Sequence, residues 1–269
     1  TWFLHAGRLA VPDSLYMLAI VIVLALSSLW HQQKRPRWLL YVSAAVAAIL
    51  VYSPGVMWLL LALIIIEREH ILEDLRVSKK HTAAAFAVAL SLLAPMVNTI
   101  VNNWHIMALY AGIPVHGHPL TYLKQIAWVW PHIFVIGPHD PMRNLGTLPL
   151  ITIFTSVMFL LGLYLFFKHR HANRSRLLLA LWLIATIFIG LGFMPLVTLL
   201  PLILMVATGG IGYFLQLWLK TFPRNPLARW FGFGFIWLLL ALAMLFNLRS
   251  YFVAWRYNPE TRATFVQRR

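Results

Sequence analysis

Seven carboxylates and eleven histidines are the groups in this 269-residue sequence best suited to moving protons or holding a metal near neutral pH; there is no cysteine. The carboxylates are unevenly placed. Glu67, Glu69, Glu73 and Asp74 crowd into EREHILEDLR, where opposed charges fall three and four residues apart, the spacing of a solvated helix. Asp13, Asp140 and Glu260 stand apart from that cluster. Asp13 lies in RLAVPDSLYM, between Pro12 and Ser14 and just ahead of a long apolar run. An acid there caps a helix and is favoured by the helix dipole. It is also placed to bind a metal or orient a polar substrate head at a membrane surface. Arg8, five residues earlier, is suited to pairing with it or to holding an anionic phosphate.

Among the histidines, HGHP (116–119) is the densest pair. On an extended segment His116 and His118 send both rings to one side, as metal sites can use, although two ligands do not complete a site. Polar loop histidines beside lipid headgroups are the alternative. The sequence has no HExxH, no G-x-S-x-G elbow, no P-loop and no GxGxxG in a strand context. GGIG (209–212) and GFG (232–234) lie within apolar runs and suit close helix packing. Arg8, Lys124, Arg143, Arg249 and Arg256 are candidate contacts for a lipid phosphate, the alternative for each singly being to snorkel to the headgroups.

The elements that must position these groups follow from composition. The chain is 61% hydrophobic and only 11% charged, with a mean hydropathy of +0.77, against roughly 25% charged residues in soluble domains. Several apolar runs approach the ~20 residues that span a bilayer as helix. The runs are continuous rather than alternating, which argues against a β-barrel. The expected fold is therefore an all-α polytopic membrane bundle of about eight transmembrane helices, at 14–30, 38–53, 55–66, 82–102, 147–167, 177–193, 196–219 and 230–248. The segments 38–53 and 55–66 are short and divided only by Pro54-Gly55, so they also fit a single broken hairpin.

The net charge of +15 has a topological origin. Fourteen of the 22 basic residues fall in four short connections, 31–37, 67–81, 168–176 and 220–229. The positive-inside rule assigns that side to the cytoplasm, and no nucleic-acid partner is expected. Residues 1–13, 103–146 and 249–269 then lie on the outer side. The long loop 103–146 is too aromatic and apolar for disorder. Within it PLTYLKQIAWVW (119–130) places Leu120, Leu123, Ala127 and Trp130 at helical spacing, with Tyr122, Trp128 and Trp130 suited to the headgroup zone. This predicts an interfacial helix, or equally an ordinary loop helix packed on the bundle. Residues 1–269 read as one transmembrane domain without repeats.

R-L-A-x-P-D, an apolar span, a basic turn with Arg37-Trp38, a small-residue helix and a Pro-Gly break together resemble the GT-C membrane glycosyltransferases. The resemblance is closest to the branch of family 39 type with protein O-mannosyltransferases and the lipid A aminoarabinose transferase. GFMPLVTLLPLILMVATGG (192–210) is similar to that family's R-Y-x-L-P-x-x-P helix, and YFVAWRYNPETRATF (251–265) to terminal segments of some bacterial members. The resemblance implies a transferase in the bacterial plasma (inner) membrane that takes a sugar from a polyprenyl-phosphate donor at the outer face. It implies that Asp13 faces the active-site cavity, that a His from the long loop (His116 or His118) helps hold a divalent metal ion, and that Arg8, Tyr122, Lys124 and Arg249 contact substrate. Two departures stand out: Ser53-Pro54-Gly55 where a lysine commonly precedes the Pro, and Phe193-Met194-Pro195 where a basic residue often precedes the late Pro-rich helix. No counterpart of the family's catalytic acid loop precedes Arg8, so the chain is expected to be the C-terminal part of a longer protein, or to have lost the chemistry. The alternatives are a catalytically inactive membrane subunit or scaffold with membrane-protein partners, and a transporter of lipid-linked sugars.

The topology is directly testable. Cysteines introduced by Gly117→Cys and Ser78→Cys are expected to react with an impermeant maleimide from opposite sides of sealed vesicles; labelling of both from one side refutes the assignment.

Overall fold

The computed structural model describes residues 13–30, 38–77, 79–113, 119–140 and 144–266. The regular structure among these residues is all helical, with no strand. The α-helices are α1 (Asp13–Trp30), α2 (Trp38–Leu50), α3 (Val56–Ile66), α4 (Arg68–Val77), α5 (Lys79–Asn102), α6 (His105–Ala111), α7 (Pro119–Phe134), α8 (Ile153–Lys168), α9 (Asn173–Gly190), α10 (Leu200–Thr221), α11 (Pro226–Arg249) and α12 (Pro259–Val266). A 3-10 turn, Leu196–Leu199, leads into α10, and a π-helical segment, Ser250–Trp255, prolongs α11. Five stretches are long and apolar enough to cross a membrane: Asp13–Trp30, Lys79–Asn102, Asn173–Gly190, Leu196–Thr221 and Pro226–Trp255. Trp38–Leu50, Val56–Ile66 and Ile153–Lys168 are apolar but shorter.

Burial supports the same reading. Within the spans of α5 and α11 only 11% of residues are buried, and Val101, Trp230 and Trp237 are 73, 76 and 71% exposed. Water does not tolerate such continuous apolar surface; a bilayer does, because its chains are as apolar as the side chains they touch.

The chain forms two compact units. The first holds residues 12–126 and 171–199. There α2 lies along α5, α9 along α3, and α1 packs on both α3 and the 3-10 turn. The buried stripe of α1 is Tyr16, Ala19, Ile20, Val23, Leu26, Ser27 and Trp30, while Leu15, Leu18 and Val21 face outward. This is helical spacing, but both faces are apolar, so steric fit chooses between them. At one end of this unit the chain turns through Gly55, at φ 76° in the left-handed region, where non-glycine residues are strained. Its N–H donates to the Tyr110 carbonyl at 3.0 Å, and the Trp58 indole N–H donates to the Ala111 carbonyl at 2.8 Å. Trp58 stacks on Phe188, with ring centroids 6.4 Å apart.

The described part of the second unit holds residues 127–140, 144–170 and 200–266, with α8 and α10 closely packed along each other. A Cβ added to Gly162 would lie 1.9 Å from the Val206 carbonyl oxygen, and one added to Gly210 would lie 1.9 Å from that of Met158. Of the GGIG run only Gly210 serves this approach, for Gly212 faces open space and Gly209 makes ordinary contact with Phe166. The partner glycine, Gly162, stands alone in its helix and was not singled out by its sequence. In GFG, Gly232 admits the Trp218 ring while Gly234 meets nothing. Asn225 caps α11, its side chain accepting from the Ala228 N–H at 3.2 Å, with Pro226 opening the helix.

Gly210→Ala is expected to destabilise the detergent-solubilised protein by about 1–3 kcal/mol, the usual cost of overpacking, read as a lowered unfolding temperature. Gly212→Ala, which meets nothing and gains helix propensity, is expected to be neutral or stabilising. Equal effects of the two would refute the packing role.

Candidate functional site

Asp13 opens α1 in its first turn, where a carboxylate complements the positive end of the helix dipole. It is 8% exposed, and Tyr16, three residues on, shares its buried face at 7%. A carboxylate withdrawn this far from solvent is held by partners rather than by water. Helix α1 packs against the 3-10 turn Leu196–Leu199. Helix α1, which Asp13 opens, and this turn, which lies within the 192–210 stretch of the resemblance, thus pack together in the first unit. Within that turn Thr198 is fully buried, and its hydroxyl finds no hydrogen-bond partner among the described residues.

The other residues expected at the site fall as follows. Tyr122 and Lys124 lie on α7, Tyr122 half-buried and Lys124 exposed. Arg249 ends α11, exposed, in the second unit. Arg8, Arg143, His116 and His118 lie outside the described residues. Among the described residues no three His, Asp or Glu side chains come together in a way that could hold a metal ion. The helix expected at 119–130 forms and continues to Phe134, with Leu120, Leu123 and Trp128 exposed and Val129 and Ile133 buried. His132 turns back on its own helix end, its Nδ1 3.0 Å from the Ile136 carbonyl oxygen.

No protein family model, curated protein or solved structure matches the chain.

The two departures from the family pattern occupy one place. Met194 lies beside Gly55, where an added Cβ would be 3.1 Å from the Met194 methyl carbon. Gly112, at φ 66°, is pressed against the Phe188 ring in the same junction. The Met194 and Phe193 amides both donate to the Phe188 carbonyl, at 3.2 and 2.9 Å. Methionine, phenylalanine and glycine backbone thus fill the spot where the resemblance would gather cations around a phosphate.

A second polar arrangement was not foreseen. Glu67, expected to be solvated with its neighbours, is fully buried. It caps the end of α3, its N–H donating to the Leu63 carbonyl at 2.9 Å, and its Oε1 accepts from the Ser27 hydroxyl of α1 at 2.7 Å. Arg68, Glu69 and Glu73 are exposed, as the charge spacing predicts. The difference has a plain cause. Glu67 extends the buried stripe Val56, Leu59, Leu60, Leu63 by one more turn, so it belongs to α3 by phase although it belongs to the charged run by composition. Its serine partner gave a parallel signal, as one of the few polar residues on the inner stripe of α1. Nearby in sequence, Tyr41 of α2 and His81 of α5 join hydroxyl to Nδ1, with the rings edge to face.

Ser27→Ala strands a buried carboxylate oxygen and is expected to cost about 1–3 kcal/mol in unfolding experiments. The double variant Ser27→Ala/Glu67→Leu should recover part of that loss, because both polar partners are then removed. No recovery in the double variant would place the stabilising contact of Glu67 elsewhere.

Proposed function

We propose that the chain is the membrane-embedded part of a glycosyltransferase that takes a sugar from a polyprenyl-phosphate donor. The observation that carries this reading is Asp13, a buried carboxylate that opens a membrane span, on a helix that packs against the turn Leu196–Leu199 between Pro195 and Pro201. In the proposed reaction an acceptor hydroxyl or amine attacks the anomeric carbon as the bond from that carbon to the phosphate oxygen breaks. The polyprenyl phosphate leaves with the electron pair, and the acceptor proton passes to a carboxylate base. Asp13 orients the acceptor or sugar head. Lys124, an exposed cation, is the proposed contact for the anionic head of the donor, with Tyr122 two residues earlier on the same helix.

The proposed topology has eight crossings, adding α2, α3 and α8 to the five long spans. It places the basic connections in the cytoplasm of a bacterial cell and residues 103–146 outside the plasma membrane. At 1.5 Å per residue, α2 and α3 reach about 20 and 17 Å, short of the ~30 Å hydrocarbon layer. The turn at 51–55 makes up part of the difference. The exposed Leu120, Leu123 and Trp128 of α7 support a helix in the headgroup zone of that outer surface.

A second reading is favoured by the junction of Gly55, Phe188 and Met194. Its apolar filling suits a non-catalytic subunit that has kept the architecture without the phosphate cations.

One assay separates the two. The full chain in proteoliposomes, given radiolabelled polyprenyl-phosphate sugars and a membrane extract as acceptor, is expected to transfer label. Asp13→Asn, which keeps shape and loses charge, should reduce transfer by roughly 100-fold or more, the usual contribution of a positioned acid or base, with an unchanged unfolding temperature. Wild-type activity indistinguishable from empty vesicles would favour the subunit. Full turnover in a thermally weakened Asp13→Asn would make Asp13 a helix cap only.

A further inference from the structure

In the second unit the stretch before α8 and the far half of α11 enclose a groove of about 410 Å3. One wall carries Leu148 and Ile151, the other Leu239, Leu242 and Phe246. The α11 residues recur every three or four positions, so they form one stripe. Asn247 and Ser250 continue that stripe and give one end of the groove its polar atoms. The opposite wall is firm. Asn144 is buried at 8% and its amide donates to the carbonyls of Pro138, Gly146 and Leu148 at 3.3, 3.2 and 3.1 Å. Gly137 makes room for this knot, since a Cβ there would lie 2.1 Å from the Leu148 carbonyl oxygen.

Two features identify what fits. The first is length. Leu239 to Ser250 covers twelve residues, whose eleven steps give about 16 Å of helix rise, close to half the ~30 Å hydrocarbon thickness. The groove is therefore one leaflet deep, with its polar end where that leaflet's headgroups begin. The second is charge. Arg249, exposed in the last turn of α11, is three residues beyond Phe246 and one before Ser250, which puts it beside the polar end. Past the π-helical segment, the guanidinium carbons of Arg256 and Arg262 stand 5.7 and 5.1 Å from the same Tyr257 ring centroid. Residues 249–262 contain these three arginines and one acid, Glu260. Two guanidinium groups gathered on one ring make a focus of positive charge that suits an anion.

We propose that this groove holds one acyl chain of an anionic glycerophospholipid, with its phosphate against Arg249 and the Arg256–Arg262 pair beyond. The inference rests on the membrane span and not on the transferase reading. Bound this way, the lipid seals the seam between α11 and the stretch before α8, and its headgroup fixes the start of the C-terminal segment.

The test uses the full chain in nanodiscs containing phosphatidylglycerol with a diazirine in its acyl chain. After irradiation, adducts are expected on peptides covering 145–154 and 239–250. Excess unlabelled phosphatidylglycerol should suppress them, and phosphatidylcholine should not. Arg249→Gln, which removes a charge-assisted contact, should lower the adduct yield about tenfold. Ala243→Trp, which fills the groove, should abolish it; should that variant fail to give a monodisperse folded peak, Arg249→Gln decides alone. Adducts spread evenly over the exposed faces of α5 and α11 would overturn the proposal, as would equal suppression by phosphatidylcholine. Displacement by polyprenyl phosphate at a much lower mole fraction would overturn it in favour of an isoprenoid occupant.

Discussion

Backbone contact between α8 and α10 shows what organises a chain of this kind. The carbonyl oxygens of Met158 and Val206 sit where the Cβ atoms of Gly210 and Gly162 would otherwise be. In water, a helix turns its apolar face inward because the opposite face is wet. In a bilayer both faces meet hydrocarbon, and that preference disappears. What remains is shape: helices approach where missing side chains allow many weak dispersion contacts at short range. The same logic recurs where Gly232 admits Trp218 and, in the first unit, where Gly190 receives Ile126.

Polar groups are few in such a chain, and each one within the bundle acts far beyond its size. A hydroxyl or carboxylate that leaves water needs a partner, and once paired it resists sliding or rotation of the helices that carry it. Ser27 and Glu67 set the phase of α1 against α3 in this way, and Tyr52 ties the end of α2 to α5 through the Leu92 carbonyl at 2.7 Å. Asp13 obeys the same rule at the start of α1. Its burial shows that the local fold accommodates a carboxylate there, whichever chemistry it serves.

These principles explain what could be read from the sequence. Helical class and the approximate positions of the long spans were legible because apolar run length acts locally. The start of α11 at Asn225-Pro226, four residues ahead of the expected 230, was missed because the cap lies in the charged connection. Which face of α1 turns inward was not legible, since Leu15 and Leu18 are as apolar as Ile20 and Val23. Nor was the singularity of Gly162 and Gly210 among fourteen glycines, because that depends on what lies across the interface. Glu67 was misplaced because charge composition averages over neighbours, whereas burial follows helical phase. The placing of Met194 against Gly55 is a tertiary fact: residues about 140 positions apart are joined by the fold, and neither local pattern mentions the other.

The π-helical segment Ser250–Trp255 has one consequence of its own. A π turn holds more residues than an α turn and is commonly equivalent to one inserted residue. It therefore acts as a phase shifter between α11 and everything beyond it. Remove one residue from this stretch and the backbone can close its hydrogen bonds as ordinary α-helix, at little local cost. The residues beyond would then keep nearly their present orientation, since the residue lost is the one the wide turn absorbs. Closing the same six residues as α-helix without that loss would instead turn them by about 100° relative to α11. Tyr257 and its two arginines would in that case change sides of the helix while the membrane span before them stayed where it was. In that sense the orientation of the cationic end is set by a count of residues per turn rather than by any side chain.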